Sequence, residues 1–348
     1  MSGGVLSRAR AEANAWLELG RAERRAASVG KPQPSMWRRG FLSTRSFMYP
    51  GIHDPGVLYV NDVRTYRRIR TVNGPAAQLL VQHKNVFADS LVARGLGEMA
   101  PETYGTVSDR GFRPRSEAAH ARLLEQEAVV VKPVRGHGGR GVRLLSPDQV
   151  LESTAARGAE LLVQERLSAH PLLDGIWPGS LNTLRVLAVR VADGTTVLAA
   201  AAHRFGTAET VPVDNGSSGG LWAPVDVETG RMGAALRHPQ EPRRCEYPAH
   251  PDTGARIDGV VVPGWADVRQ LVLQLMAAFP ETDHVGWDVA LTDQGPRVIE
   301  GNGVMPALSM FQYSGSFLDD PRLRDFYVRH GLLSRRVVRR AERAGRRR

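Results

Sequence analysis

Apolar and polar positions recur in different rhythms along the chain, and the changes of rhythm mark its elements. Residues 1–30 mix alanine, leucine and arginine in a composition that favours helix, and stop at Gly30-Lys-Pro-Gln-Pro34, which reads as a linker. After turn signals at Tyr49-Pro50-Gly51 and Asn73-Gly74, residues 83–94 space their apolar side chains as a helix, which Gly95 and Gly97 end. Val129-Val-Val131 is a short β-branched run. A glycine-rich loop follows it, and then a second strand, residues 142–145. Ser146-Pro147 offers an N-cap and a proline at the first helical position, predicting a helix to about Arg157. Residues 161–165 and 183–190 read as strands, the latter turning at Asp193-Gly194 into residues 197–204. Residues 265–279 have helical periodicity, and residues 288–291 and 297–300 form a hairpin. Antiparallel hairpins interleaved with helices make α+β the expected fold class.

Composition narrows the picture only slightly. The chain has 348 residues and 42% hydrophobic content, enough for two or three packed lobes. It contains no apolar run near the roughly 20 residues of a membrane span, and its first segment lacks the apolar centre of a secretory signal. A cytoplasmic location is expected. The single cysteine, Cys245, excludes an internal disulfide and a cysteine-cluster metal site. The net charge of +10 is concentrated in the tail SRRVVRRAERAGRRR and the first segment. That tail is expected to be a solvated appendage with at most weak association with acidic surfaces, and no specific nucleic-acid signature appears.

The glycine loop carries the first candidate chemistry. Gly136, Gly138 and Gly141 spell G-x-G-x-x-G, but a dinucleotide site needs a helix opening at the glycines, and here a strand follows. A P-loop is excluded because Lys132 precedes the glycines instead of following them. What remains is a strand, loop and strand whose backbone amides can close over phosphates, with Arg135 and Arg140 adding charge, or else a plain exposed hairpin.

The late hairpin carries the second. With Asp293-Gln294-Gly295 as a three-residue turn, Thr292 faces Pro296 and Asp288 lies opposite Glu300, while Asn302 shares the face of Glu300. Three oxygen donors on one patch suit Mg²⁺ bridging nucleotide phosphates. Two decoys fall away. Gly216-Ser-Ser-Gly-Gly220 matches a nucleophile elbow, yet Pro224 argues against the helix it requires. The histidines have no zinc spacing, and His170 and His203 read as ordinary structural residues, with a polar site role as the alternative.

A lysine-bearing glycine flap followed by a late Asp…Glu-x-Asn set resembles the ATP-grasp superfamily. More narrowly, SLNTLRV at 180–186, VDNGSSGG at 213–220, APVDVETG at 223–230 and the 287–302 hairpin resemble sugar-transfer associated ATP-grasp proteins over about residues 80–318. The resemblance implies two α+β lobes gripping ATP between them, with a helical N-terminal extension. It divides the chain into an extension (1–34), a pre-grasp region (35–80), an N-lobe (81–167), a C-lobe (168–318) and a basic C-terminal segment (319–348).

It also implies roles. Lys84 and Lys132 contact phosphates, and Gly136, Gly138, Gly139 and Gly141 form the flap. Gln164, Glu165, Arg166 and Leu167 form the adenine-binding hinge, while Asp288, Glu300 and Asn302 hold Mg²⁺. Arg185, near Asn182, stabilises the transferring phosphoryl group. Asp214, Asn215 and Ser217 are candidate acceptor contacts, with an ordinary turn as the alternative. The leading expectation is an ATP- and Mg²⁺-dependent ligase joining a carboxylate to an amine or other nucleophile through an acyl phosphate, in glycan or peptide modification. A kinase-like phosphotransferase and a non-catalytic surface binder are the alternatives.

Overall fold

The computed structural model describes residues 2–136 and 138–346, apart from the side chains of residues 2–8 and of Ser217. Two antiparallel sheets organise the chain. The smaller is built from β1 (Thr103–Ser108), β2 (Gly111–Pro114), β3 (Val129–Pro133), β4 (Arg143–Leu145) and β5 (Leu161–Gln164), in the order β2-β1-β5-β3-β4. The glycine loop joins β3 to β4, and Val131 faces Arg143 in that hairpin. The predicted strand, loop and strand is therefore present. The helix after Ser146 has the expected cap, a reciprocal box with Gln149, but it runs only over Pro147–Leu151. It stops short of Arg157 because the chain turns back to the sheet, where the Ala155 N–H donates to Ser108 O at 2.9 Å.

The larger sheet holds β6 (Leu184–Arg190), β7 (Thr196–Phe205), β8 (Leu221–Val225), β9 (Ala235–Arg237), β10 (Glu246–Tyr247), β11 (His284–Thr292) and β12 (Gly295–Asn302). Their order is β10-β9-β8-β7-β6-β11-β12. Alternation along these strands sends each residue to one of two layers. Leu184, Val186, Ala201, Phe205, Ala223 and Trp287 face the helix Trp265–Ala278. Leu187, Val189, Ala202, Trp222 and Leu236 face the opposite way. That second face is covered by residues from both ends of the chain, including Met36, Tyr49, Ile52 and Val60 from the first 80 residues and Phe311, Phe326 and Leu333 from the last 40.

The basic tail is not a free appendage within the described residues. Its helix Arg335–Gly345 buries Ala341 in this layer and turns most of its arginines outward. The helix Ser2–Arg25 packs Ala15, Leu19 and Ala22 against Leu42 and Val63. No described helix is long and apolar enough to cross a membrane.

Candidate active site

The hairpin β11–β12 aims the acidic residues, and it does so through a register unlike the expected one. Thr292 pairs with Gly295, not Pro296, so the turn has two residues, and Val289 pairs with Val298. A bulge then restores the pairing of Asp288 with Glu300. The bulge decides which way Glu300 points. Val298 lies in the layer under the helix Trp265–Ala278, and without the extra residue Glu300, two positions on, would share that buried face. The inserted residue turns Glu300 and Asn302 to the cleft.

Asp288 pairs laterally with Arg185 on β6, so Glu300, Asp288 and Arg185 form a row across three strands. Arg185 donates from Nε and Nη2 to the two Asp288 oxygens at 2.5 and 2.6 Å, and all of this is buried. Arg204 on β7 adds a third bond, Nη2 to Asp288 Oδ2 at 3.0 Å, and reaches Asp214 Oδ2 at 3.6 Å. Burial raises the Asp288 carboxyl pKa, but the charges and hydrogen bonds of the two arginines outweigh it and hold the group below its ordinary range. Arg204 was missed in the sequence. The signal lay in strand parity: Ala202 and Arg204 share a face, while His203 turns into the other core, fully buried, with its pKa pushed down to about 4 by desolvation.

Lys132 faces this row from β3. It is 7% exposed, and among the described residues no carboxylate lies within 4 Å of its Nζ. Desolvation pushes its pKa down to about 8, opposed by Glu300 and Asp288 and reinforced by Lys84. Lys84, at the first turn of the helix Lys84–Ala93, bridges the lobes: its Nζ is 3.3 Å from Glu300 Oε2 and donates to Gly136 O at 3.0 Å.

The flap rests on the loop after β7. Asn215 Nδ2 donates to Gly138 O at 3.1 Å. A Cβ on Gly139, whose φ is +71°, would sit 2.6 Å from Val213 Cγ1. Gly141 instead closes the hairpin over Pro133 and does not line the cleft. Gly139→Ala is therefore expected to weaken nucleotide binding roughly tenfold, since a left-handed alanine costs about 1–2 kcal/mol before the clash is counted. Titration of a fluorescent ATP analogue checks this.

Lys84, Lys132, Gly136, Gly138, Gly139, the hinge residues Gln164 to Leu167, Arg185, Asp214, Asn215, Asp288, Glu300 and Asn302 all line one cleft of about 710 Å³. Glu165 spends one carboxylate oxygen on the Glu102 N–H at 3.0 Å. Asp214 accepts from the Thr183 N–H and hydroxyl at 2.6 and 2.5 Å, which ties the flap-bearing loop to the start of β6. The Ser217 side chain lies outside the described residues.

Asn182 is a correction. Its side chain accepts from Ser180 Oγ and Gly206 N, donates to Trp177 O at 2.6 Å, is fully buried and does not line the cleft. Held at φ 51°, it shapes the approach to β6 and touches no reacting group. His170 caps the helix Pro171–Asp174, accepting from the Leu172 N–H at 3.2 Å, in keeping with its structural reading.

The residues fit Mg²⁺ in part. Asn302 donates Nδ2 to Gly286 O at 3.3 Å, which orients its amide and leaves Oδ1 free to ligate, and among the described residues Lys84 is the one ion-pair partner of Glu300 within 4 Å. Asp288, with both oxygens on arginines, is not a free ligand in this arrangement.

Two lobes meeting at a lysine- and arginine-lined cleft under a glycine flap define an ATP-grasp fold. The chain belongs to the sugar-transfer associated ATP-grasp family, whose model matches residues 148–324. The flap and Lys132 lie ahead of the matched stretch. Among solved structures, the chain is similar to a D-Ala:D-Ser ligase from Enterococcus faecalis, at 14% identity and TM-score 0.44, covering 74% of this chain and 64% of that one. It is also similar to D-alanyl-alanine synthetase A from Vibrio cholerae, at 13% and 0.44, covering 77% and 68%. A third is N5-carboxyaminoimidazole ribonucleotide synthetase from Thermotoga maritima, at 16% and 0.36, covering 66% of this chain and only 43% of that one. No curated protein matches the chain.

Proposed function

We propose that the protein is an ATP- and Mg²⁺-dependent ligase that joins a carboxylate to an amine or other nucleophile through an acyl phosphate. The observation that carries this reading is the buried Lys132 set across one cleft from Glu300, Arg185 and Arg204, under a glycine flap. A carboxylate oxygen of the substrate attacks the γ-phosphorus, the bond to the β-bridging oxygen breaks, and ADP leaves. The nucleophile then attacks the acyl carbon, loses its proton, and the C–O bond to phosphate breaks.

Lys132 and the flap amides hold the phosphates, and Arg185 and Arg204 face the charge that develops between carboxylate and γ-phosphate. Glu300 and Asn302 are the residues that would hold Mg²⁺, whose contribution is to neutralise charge on the phosphate oxygens. The hinge at Gln164 to Leu167 receives the adenine. Asp214 and Asn215 flank the acceptor side, and the family's association with sugar transfer suggests a glycan or peptide acceptor.

A screen of amino acids and sugar acids for ATP-dependent phosphate release, with hydroxylamine as trap, tests the reading. Hydroxamate formation with one class of acid is expected, and Glu300→Ala should lower release at least about 100-fold. A phosphorylated alcohol with no hydroxamate would assign the protein to phosphotransfer instead. Phosphate release no higher than that of Glu300→Ala with every acid would end the enzyme reading.

A further inference from the structure

We propose that the arm of the cleft beyond Arg204 binds an apolar, aromatic-sized body on the carboxylate substrate, and that Arg45 and Asp62 set its far wall. The inference rests on the ligase reading for the place of the carboxylate. The cleft face of the large sheet changes character strand by strand. Arg185 and Arg204 are followed by Trp222, the direct partner of Arg204 on β8, which lines the cleft, while Leu236 behind it on β9 belongs to the buried core. Charge thus gives way to a mainly apolar wall within one strand spacing. The segment after β12 contributes Met305, Ala307, Ser309, Met310 and Tyr313 to the same cleft, and His238 stands edge-on to Tyr313 there. Met305 is 55% exposed, and Tyr313 stacks on Trp222 at 5.4 Å and 18°.

Each arginine also has one edge to spare. Arg185 spends Nε and Nη2 on Asp288, and Arg204 spends the same atoms on Thr183 and Asp288. Their Nη1 groups have no hydrogen-bond partner among the described residues, so a carboxylate held there would point its body into the apolar arm. The aromatic walls exclude water and favour apolar groups, and the unbranched methionines can adapt to their shape.

The wall is pinned from a distant part of the chain. Tyr313 Oη accepts from Arg45 Nη1, and the same guanidinium lies 5.1 Å over the Tyr313 ring. Arg45 donates through Nη2 to Asp62 Oδ1 at 2.8 Å, with both residues buried. The neighbouring Gln312 accepts from the Val60 N–H at 2.6 Å and donates to Val60 O and Tyr49 Oη at 3.0 Å each. A buried ion pair of this kind is seldom more stabilising than a packed apolar pair, so its geometric effect on Tyr313 is the better account of it. Residues 45–62 precede the family-matched stretch, yet they complete the site as positioning residues.

The test is calorimetric binding of acetate, phenylacetate and glucuronate to the protein saturated with Mg²⁺ and a non-hydrolysable ATP analogue. Phenylacetate is expected to bind at least tenfold tighter than either of the others. Arg45→Lys and Tyr313→Leu should reduce that preference below threefold while changing affinity for the ATP analogue less than twofold. Met305→Gln, at an exposed wall position with little bearing on folding, should also weaken phenylacetate selectively.

Equal binding of acetate and phenylacetate, tighter binding of glucuronate, or no binding of any of the three overturns the proposal. So does a Met305→Gln protein with unchanged preference, or equal loss of acid and nucleotide in Arg45→Lys. Selective phenylacetate binding together with no ATP-dependent phosphate release from any acid in the screen would sink only the ligase reading and leave the arm standing.

Discussion

Replacing Lys132 with methionine is expected to stabilise the nucleotide-free protein while weakening ATP binding roughly 100-fold, the scale of one or two charge-assisted hydrogen bonds. The two effects have one cause. Burial lowers the lysine from its ordinary 10.5 to about 8, so below pH 8 the folded protein holds a charge that the unfolded chain holds more easily. The difference costs about 3 kcal/mol at neutral pH. As pH rises from 8 to 10.5 the unfolded state binds more protons at this site than the folded state, and that cost disappears.

Methionine removes it at every pH, raising the apo Tm by roughly 3–6 °C. ATP needs the protonated form, so wild-type affinity should fall by up to about tenfold per pH unit above 8, and the Lys132→Met protein should lose that slope. Calorimetry at pH 7 and 9 and thermal melts of both proteins measure all four quantities. A variant that is less stable than wild type, or that keeps the pH slope, would contradict the assignment.

The strands of the large sheet were legible because their residues alternate cleanly and their turns carry asparagine, aspartate and glycine signals. The pairing of Asp288 with Glu300 was legible for a less secure reason. The turn is one residue shorter than expected and the bulge supplies one residue, so two register errors cancel at that pair and nowhere between it and the turn. A bulge has no strong local signature in this stretch; it is set by which side chains the two faces of the sheet can accept.

Arg204 and Asn182 show the same limit. Their roles depend on strand parity and on a positive φ, neither of which the residue type alone specifies. The contribution of residues 36–62 was illegible altogether. It arises from contacts such as Arg45 to Tyr313, 268 positions apart, and no local pattern announces a partner at that distance.

Asp288→Ala and Glu300→Ala are expected to fail in different ways, and the contrast separates architecture from chemistry. Removing Asp288 leaves buried Arg185 and half-buried Arg204 without their shared counter-charge, although Arg204 keeps Asp214 nearby. A broken buried pair of this kind costs about 3–5 kcal/mol, which denaturant melts will register as a large loss of stability together with loss of turnover. Removing Glu300 breaks its one ion pair within 4 Å among the described residues, with half-buried Lys84, and weakens its longer-range support of the Lys132 charge. That change should cost about 1–2 kcal/mol, less than loss of the Asp288 anchor, because a single half-buried pair is broken and both arginines keep their counter-charge.

Turnover in Glu300→Ala should nonetheless fall by the factor expected for a Mg²⁺ ligand, and the Mg²⁺ concentration for half-maximal activity should rise. If Asp288 anchors the arginines and does not ligate the metal, Asp288→Asn should leave that Mg²⁺ concentration within about twofold of wild type while lowering kcat, because an amide still accepts from Arg185 but no longer balances two cations. A large rise in the Mg²⁺ requirement of Asp288→Asn would instead return Asp288 to the metal, with the arginine contacts giving way when Mg²⁺ binds.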